Sequence, residues 1–400
     1  MTQRAAMQPL HAELTAGLSE LRAARRHRSR QVVESRVQGT QRVRVGGREL
    51  VGFCSNDYLG LADHPRVTGA FIDAARTWGV GSGASHLVSG HSSEHHALEE
   101  ELAAFVRRPR AVLFSTGYMA NLAVAAVLAG RGDHVLEDRL NHASLLDAGL
   151  ACGARFARYA HSDPSALRRR LARIASGRVL VATDGVFSMD GDVAPLADLA
   201  AACREHGAWL IVDDAHGFGV QGDHGRGSTE AAALSQDDLP VLMCTLGKAV
   251  GTFGAFVAGC EELVETLIQR ARTYVYTTAL PPAVAAATRA ALQVMCEEPW
   301  RRRQVQEYVA RFRRGATAIG LDLLPSQTPI QPILLGSESA ALGASAWLRE
   351  AGFWVPAIRP PTVPAGGSRL RITLSATHAP AEVDNLLDAL SRMAPTGRVE

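Results

Sequence analysis

Between about residues 66 and 260 the chain alternates helical patterns with short, mostly continuous apolar runs at residues 111–115, 134–136, 178–182, 209–212, 241–244 and 255–258. Runs of this kind predict strands covered on both faces, as in a parallel sheet. Helical stretches such as 194–206 would supply the crossovers. Ahead of this region, residues 12–29 read as a helix, and residues 42–45 and 49–53 as two short strands around the Gly46-Gly47 turn. After Pro281-Pro282 the pattern changes to long helices at 283–297 and 300–319. A smaller α+β segment follows, with strands at 332–335, 353–356 and 370–374 and helices at 339–351 and 380–393. The expected fold class is α/β, a mostly parallel central sheet with helices on both faces plus a smaller α+β C-terminal domain. Its expected units are an N-terminal helix and hairpin segment at 1–50, a large domain at 51–282 and a small domain at 283–400.

A length of 400 residues agrees with more than one domain, since domains run to about 100–200 residues. The net charge of +2 gives no reason to expect a nucleic-acid partner. The arginine clusters 168–170 and 301–303 lie in helical patterns and read as solvated faces, as does the stretch holding His91, His95 and His96. Six scattered cysteines without CxxC spacing indicate neither a zinc site nor a disulfide framework, and no metal site is expected. No window reaches the roughly 18 apolar residues of a membrane span, and no apolar signal core precedes the first helix. A cytoplasmic protein without a membrane partner is the expectation.

One count changes the picture. Of 42 basic residues, 41 are arginine and one, Lys248, is lysine. Arginine replaces lysine at most solvated positions but cannot lose its proton, so a retained lysine is a candidate chemical group. Lys248 stands in Thr245-Leu-Gly-Lys248, after an apolar run, with Gly247 and Gly251 on either side. Small neighbours let a backbone approach a flat cofactor, and burial lowers an amine's pKa. A P-loop is excluded because Ala249 follows the lysine and Leu242 stands where the first glycine would be.

Further candidates sit where apolar runs end. Asp213 and Asp214 close the run at 209–212, with His216 three residues beyond the first; one carboxylate there could keep a pyridine nitrogen protonated, while a metal pair or a loop cap remains open. Gly217-Phe-Gly219-Val-Gln-Gly222 matches GxGxxG but continues as loop, so a dinucleotide site is not expected. Ser115-Thr-Gly117-Tyr118 opens a helix after a strand, which suits phosphate or a plain cap. His142, in Asn141-His142-Ala-Ser144, could stack on a flat cofactor or be structural, and Ser188 is a weak signal alone.

Taken in order, these motifs resemble the α-oxoamine synthases, fold-type I enzymes dependent on pyridoxal 5'-phosphate (PLP). The resemblance also includes Ser55-Asn56-Asp57-Tyr58-Leu59-Gly60, Gly81-Ser-Gly83-Ala-Ser85, Val186-Phe-Ser-Met-Asp-Gly191 and Asp213-Asp-Ala-His216-Gly217. It runs from about residue 12 to 395. It implies the aspartate aminotransferase-like fold and PLP held by Lys248, which later moves the α-proton. It places Asp213 at the ring nitrogen, His216 on the phenolate side and His142 on the ring face, with Gly117, Tyr118, Ser188 and Thr245 in contact with the cofactor. Thr277 or Thr278 of a second subunit would approach the phosphate, which implies a homodimer. The C-terminal run from Ala357 through Arg359 and Thr362 to Gly366, then Arg369-Leu-Arg371, resembles the branch that condenses L-alanine with pimeloyl-CoA or a pimeloyl-acyl carrier protein in biotin synthesis. That branch implies Asn56 and Arg371 at the amino-acid carboxylate, with His142 beside the substrate. It places Arg30 and Thr362 near the acyl group. His86 stands where many members carry arginine.

Overall fold

The computed structural model describes residues 3–393. Its N-terminal strands are β1 (Val33–Arg36), β2 (Arg42–Val45) and β3 (Arg48–Gly52). The apolar runs then become β4 (Arg110–Phe114), β5 (His134–Asp138), β7 (Val179–Asp184), β8 (Trp209–Asp213), β9 (Val241–Thr245) and β10 (Ala255–Gly259), with β6 (Arg155–Tyr159) added. The C-terminal strands are β11 (Ile330–Gly336), β12 (Phe353–Trp354), β13 (Ala357–Ile358) and β14 (Ser368–Thr373).

The central sheet has seven strands in the order β4-β10-β9-β8-β7-β5-β6. Strands β6, β5, β7, β8 and β9 are parallel, while β10 runs antiparallel to both β9 and β4. Alternate side chains feed two apolar layers. On one face Leu113, Val181, Val212, Leu242 and Phe256 meet Leu98, Leu102 and Leu199. On the other, Val112, Leu180, Ile211, Met243 and Val257 meet Val124, Leu145 and Leu267. Leu242 and Phe256 are both 0 % exposed, and burial of such side chains stabilises the fold by about 1.5–3 kcal/mol each. Being covered on both faces is what made these strands read as unbroken apolar runs.

Strand β6 escaped the sequence reading because Arg155-Phe-Ala-Arg-Tyr159 lies at the sheet edge and keeps two arginines in solvent. The hairpin β2–β3 pairs in register from Arg42 with Val51 to Val45 with Arg48, and β12 then lies parallel on β3. Phe53 correspondingly packs with Phe312, Leu348, Leu370 and Leu386 in the C-terminal core. The first helix is Gln3–Ala23 and ends earlier than the 12–29 pattern suggests. Two surface expectations are corrected. Arg301 and Arg302 are 8 % and 7 % exposed, because their guanidinium groups bond the Leu59 and Met295 carbonyls. His95 is buried, accepting from Ser92 N at 3.0 Å through Nδ1 with Nε2 2.7 Å from the Leu280 carbonyl. Among the described residues no helix is long and apolar enough to cross a membrane.

Candidate active site

The C-terminal ends of β4, β5, β7, β8 and β9 lie at one edge of the sheet, and the loops leaving them line a cavity of about 180 Å³. Lys248, Asp213, His216, His142, Gly117, Tyr118, Ser188 and Thr245 all line it. The sheet therefore gathers residues that stand far apart in the chain, at the edge where α/β folds place ligands.

The helix Gly117–Leu128 begins at this edge. Thr116 caps it by accepting from Met119 N at 3.2 Å. The Gly117 and Tyr118 amides have no protein acceptor among the described residues, and such amides suit a phosphate group. Glycine is required at 117 by close approach, since a Cβ there would lie 2.8 Å from Thr245 Cγ2.

Asp213 is 4 % exposed. Its Oδ1 accepts from Ala215 N at 3.0 Å and its Oδ2 from Asn121 Nδ2 at 2.8 Å. Asn121 also donates to Ser144 Oγ at 2.9 Å, and its own Oδ1 is buried without a partner among the described residues. Ser144 N donates to His142 Nδ1 at 3.2 Å, so Nδ1 is an acceptor and the neutral ring carries its proton on Nε2. Burial lowers the His142 pKa against the pull of Asp213, which keeps the ring neutral. A hydrogen-bonded chain thus ties the ring of His142 to the carboxylate of Asp213.

Asp214 points elsewhere. It accepts from Ser228 N at 2.7 Å and Ser228 Oγ at 2.5 Å, closing the loop that follows β8. Burial raises its pKa to about 7. The GxGxxG stretch at 217–222 is turn, and the next helix is Ser228–Ala231.

His216 Nδ1 lies 2.7 Å from Tyr58 Oη, which leaves Nε2 without a protein partner among the described residues. Burial, with Lys248 and Arg371 nearby, pushes the His216 pKa well below its usual value. Arg371 is 5 % exposed; its Nε donates to the Ser188 carbonyl at 2.6 Å, and both terminal nitrogens lie 3.3 Å from Asn56 Oδ1. Among the described residues no carboxylate pairs with it. A buried guanidinium held this way is prepared for a ligand carboxylate.

Lys248 makes no side-chain hydrogen bond among the described residues. Burial pushes its pKa below the usual lysine range, opposed by Asp213 and Asp184. The residues thus fit PLP. A nucleophilic amine, a fixed carboxylate, a neutral imidazole and two free helix amides border a single cavity.

Sequence reasoning missed Asp184. Its Oδ2 accepts from His142 N at 2.8 Å, and burial beside Asp213 raises its pKa well above the usual range. Its signal was its place at the end of β7, in register with Asp213. Thr362 is bonded by Arg28 Nη2 at 2.8 Å, whereas Arg30 is exposed and makes no side-chain hydrogen bond among the described residues. Thr277 and Thr278 do not line the cavity of their own chain; Thr278 forms a bridge with Ser85. His161, Asp190 and Asp192 also lie close together. Burial lowers the His161 pKa, but bonds to Asp138 (2.9 Å) and Asp192 (2.8 Å) outweigh it and raise the pKa to about 10; Asp190 is engaged by Arg369. The cluster reads as an ion-pair network.

Residues 48–390 match the family described as aminotransferase class I and II. An 8-amino-7-oxononanoate synthase of Saccharophagus degradans is 59% identical over 96% of this chain and 97% of its own. The Pseudomonas aeruginosa protein of the same description is 58% identical over 94% of each chain. Among solved structures, a serine palmitoyltransferase from S. paucimobilis with PLP and myriocin bound superposes with a TM-score of 0.90, at 30% identity, covering 95% of this chain and 96% of that one. An 8-amino-7-oxononanoate synthase from Francisella tularensis gives a TM-score of 0.75 at 32% identity, covering 86% and 97%.

Proposed function

Because the chain belongs to the class I and II aminotransferase family, in its α-oxoamine synthase branch, we propose that it joins L-alanine to a pimeloyl thioester, releasing carbon dioxide and the thiol and giving 8-amino-7-oxononanoate for biotin synthesis. The observation that carries the reading is Arg371. It is a buried guanidinium oriented by Asn56 and by the carbonyl of Ser188, a residue that lines the Lys248 cavity. The relatives at 58–59% identity, described as 8-amino-7-oxononanoate synthases, support the choice of substrates.

Bound PLP supplies a conjugated ring that takes up the electron pair left at a substrate carbon. The chain does the rest. Lys248 would hold the cofactor through Nζ, and the same nitrogen would serve as the base for the α-proton of alanine; its lowered pKa favours the free base this needs. Asp213, fixed by Ala215 N and Asn121, keeps a proton on the ring nitrogen. His142, held neutral and oriented by Ser144, would cover one ring face. His216, anchored through Tyr58, would meet the phenolate side through its unpartnered Nε2. Arg371 receives the carboxylate of alanine as a fork.

The reading includes a homodimer and a cytoplasmic location. Exposed apolar residues near the Ser85–Thr278 bridge, Val80 at 90%, Val88 at 79% and Tyr276 at 74%, support a second copy on that face. Thr277 or Thr278 of that copy would approach the phosphate.

Substrate choice is tested by competing alanine against glycine across pimeloyl, succinyl and acetyl thioesters. The expected winner in kcat/KM is alanine with the pimeloyl ester, with neighbouring chain lengths less than about 200-fold behind. Preference for glycine with a short ester would refute the biotin-pathway reading and leave the α-oxoamine synthase branch intact. Replacing Arg371 with alanine should raise the KM for alanine about 100-fold, since a charge-assisted fork is lost, and should change the KM for the thioester much less. A KM for alanine within a factor of two of the parent would remove Arg371 from the carboxylate site.

A further inference from the structure

One hydrogen-bond chain joins Arg371 to His216, and its central member is Tyr58. Tyr58 is fully buried and does not border the Lys248 cavity. Its Oη lies 2.7 Å from His216 Nδ1 and 3.3 Å from Asn56 Oδ1. The same Asn56 oxygen faces both terminal nitrogens of Arg371, each at 3.3 Å. Burial raises the Tyr58 pKa to about 12 against the pull of Arg371, so the hydroxyl keeps its proton. Burial first, then the charges of Lys248 and Arg371 and the neighbouring His142, hold the His216 ring neutral.

Tyr58 therefore has one proton and two acceptors within reach. The shorter contact is to His216, where the hydroxyl donates to Nδ1 and leaves the ring's proton on Nε2. In that form the ring would offer an N–H to the phenolate oxygen of PLP. The competing acceptor, Asn56 Oδ1, is engaged by Arg371, but 3.3 Å is longer than the roughly 2.7–2.9 Å of a strong charge-assisted bond. A carboxylate would take the terminal nitrogens of Arg371 and leave the Asn56 oxygen short of donors. Tyr58 would then donate to Asn56, and His216 would meet Tyr58 with Nδ1–H, which turns Nε2 from donor to acceptor. No net proton is gained or lost, since only the hydroxyl direction and the ring tautomer differ. Resting on the reading of Arg371 as the carboxylate site and of His216 as the phenolate partner, we infer that Tyr58 is a positioning residue that couples occupancy of Arg371 to the proton affinity of the cofactor. An N–H aimed at the phenolate oxygen favours its negative charge, so withdrawing that donor raises the proton affinity.

The test titrates the cofactor's absorbance in the holoenzyme against pH, with and without saturating propionate, a carboxylate that has no amino group to react. In the parent, propionate should raise the midpoint by about 0.7 pH unit or more, the worth of one net hydrogen bond. Tyr58→Phe should have a raised midpoint from the start and respond to propionate less than half as much. The residual response is the direct effect of the carboxylate's charge. Asn56→Ala should show the same small response but start near the parent's midpoint, because Tyr58 still donates to His216. An equal response in Tyr58→Phe and the parent, or none in the parent, overturns the inference. Should Tyr58→Phe lose the cofactor, Asn56→Ala decides alone, and a response equal to the parent's overturns it. The Arg371 reading is judged separately by the KM for alanine in Arg371→Ala: where that rises but the parent does not respond to propionate, the carboxylate site stands and the coupling falls.

Discussion

Replacing Lys248 with alanine is expected to lower turnover by about 10⁴-fold or more, equivalent to roughly 5.4 kcal/mol of transition-state stabilisation, and to abolish the borohydride-reducible link between chain and PLP. Lys248 is the one lysine in 400 residues, and its amine borders the same cavity as Asp213, His142 and His216. Its side chain does two tasks, holding the cofactor and carrying the α-proton, so losing it removes both. Arginine should not restore activity, because a guanidinium stays protonated and is a poor nucleophile. Lys248→Ala should still fold, since the lysine makes no side-chain hydrogen bond among the described residues. Peptide mapping of the borohydride-reduced parent should find the cofactor on Lys248; an adduct on any other residue would overturn the assignment.

Asp213→Asn is expected to keep the fold and part of the cofactor affinity while lowering kcat about 100-fold or more, equivalent to roughly 2.7 kcal/mol. The amide matches the carboxylate in size, but it cannot hold a proton on the ring nitrogen by charge. Its NH₂ would also face Asn121 Nδ2, which now donates at 2.8 Å, so the chain through Ser144 to His142 should loosen as well. Asp214→Asn acts on a loop closure with Ser228 and should lower stability more than kcat. A kcat in Asp213→Asn within threefold of the parent would show that another group protonates the ring.

Much of the site was legible because its residues end strands. Asp213 closes β8, Lys248 follows β9 and Gly117 follows β4, and the apolar runs marked all three strands. The direction of β10 was not read, because an apolar run has the same composition either way. A signal existed: residues 246–254 join β9 to β10, fewer than the dozen or so that a parallel crossover needs. Roles set by contact were not legible. The two adjacent aspartates differ only in what they face, Asn121 for Asp213 and Ser228 for Asp214. Arg28 rather than Arg30 reaches Thr362 because the chain after the first helix sets which arginine points at residue 362, and composition carries no trace of that. The buried arginines 301 and 302 were misread for a related reason, since Arg301 bonds the Leu59 carbonyl and Arg302, besides that of Met295, the Asp223 carbonyl, both in distant segments.

The central claim, decarboxylative condensation on the Lys248 site, is tested most directly by supplying alanine labelled with ¹³C in its carboxyl group together with a pimeloyl thioester. Labelled carbon dioxide, free thiol and the unlabelled aminoketone should appear in equal amounts, with the cofactor returned to its starting absorbance. Labelled pyruvate, with the cofactor left in its amine form and the thioester intact, would contradict the account and make the protein an aminotransferase.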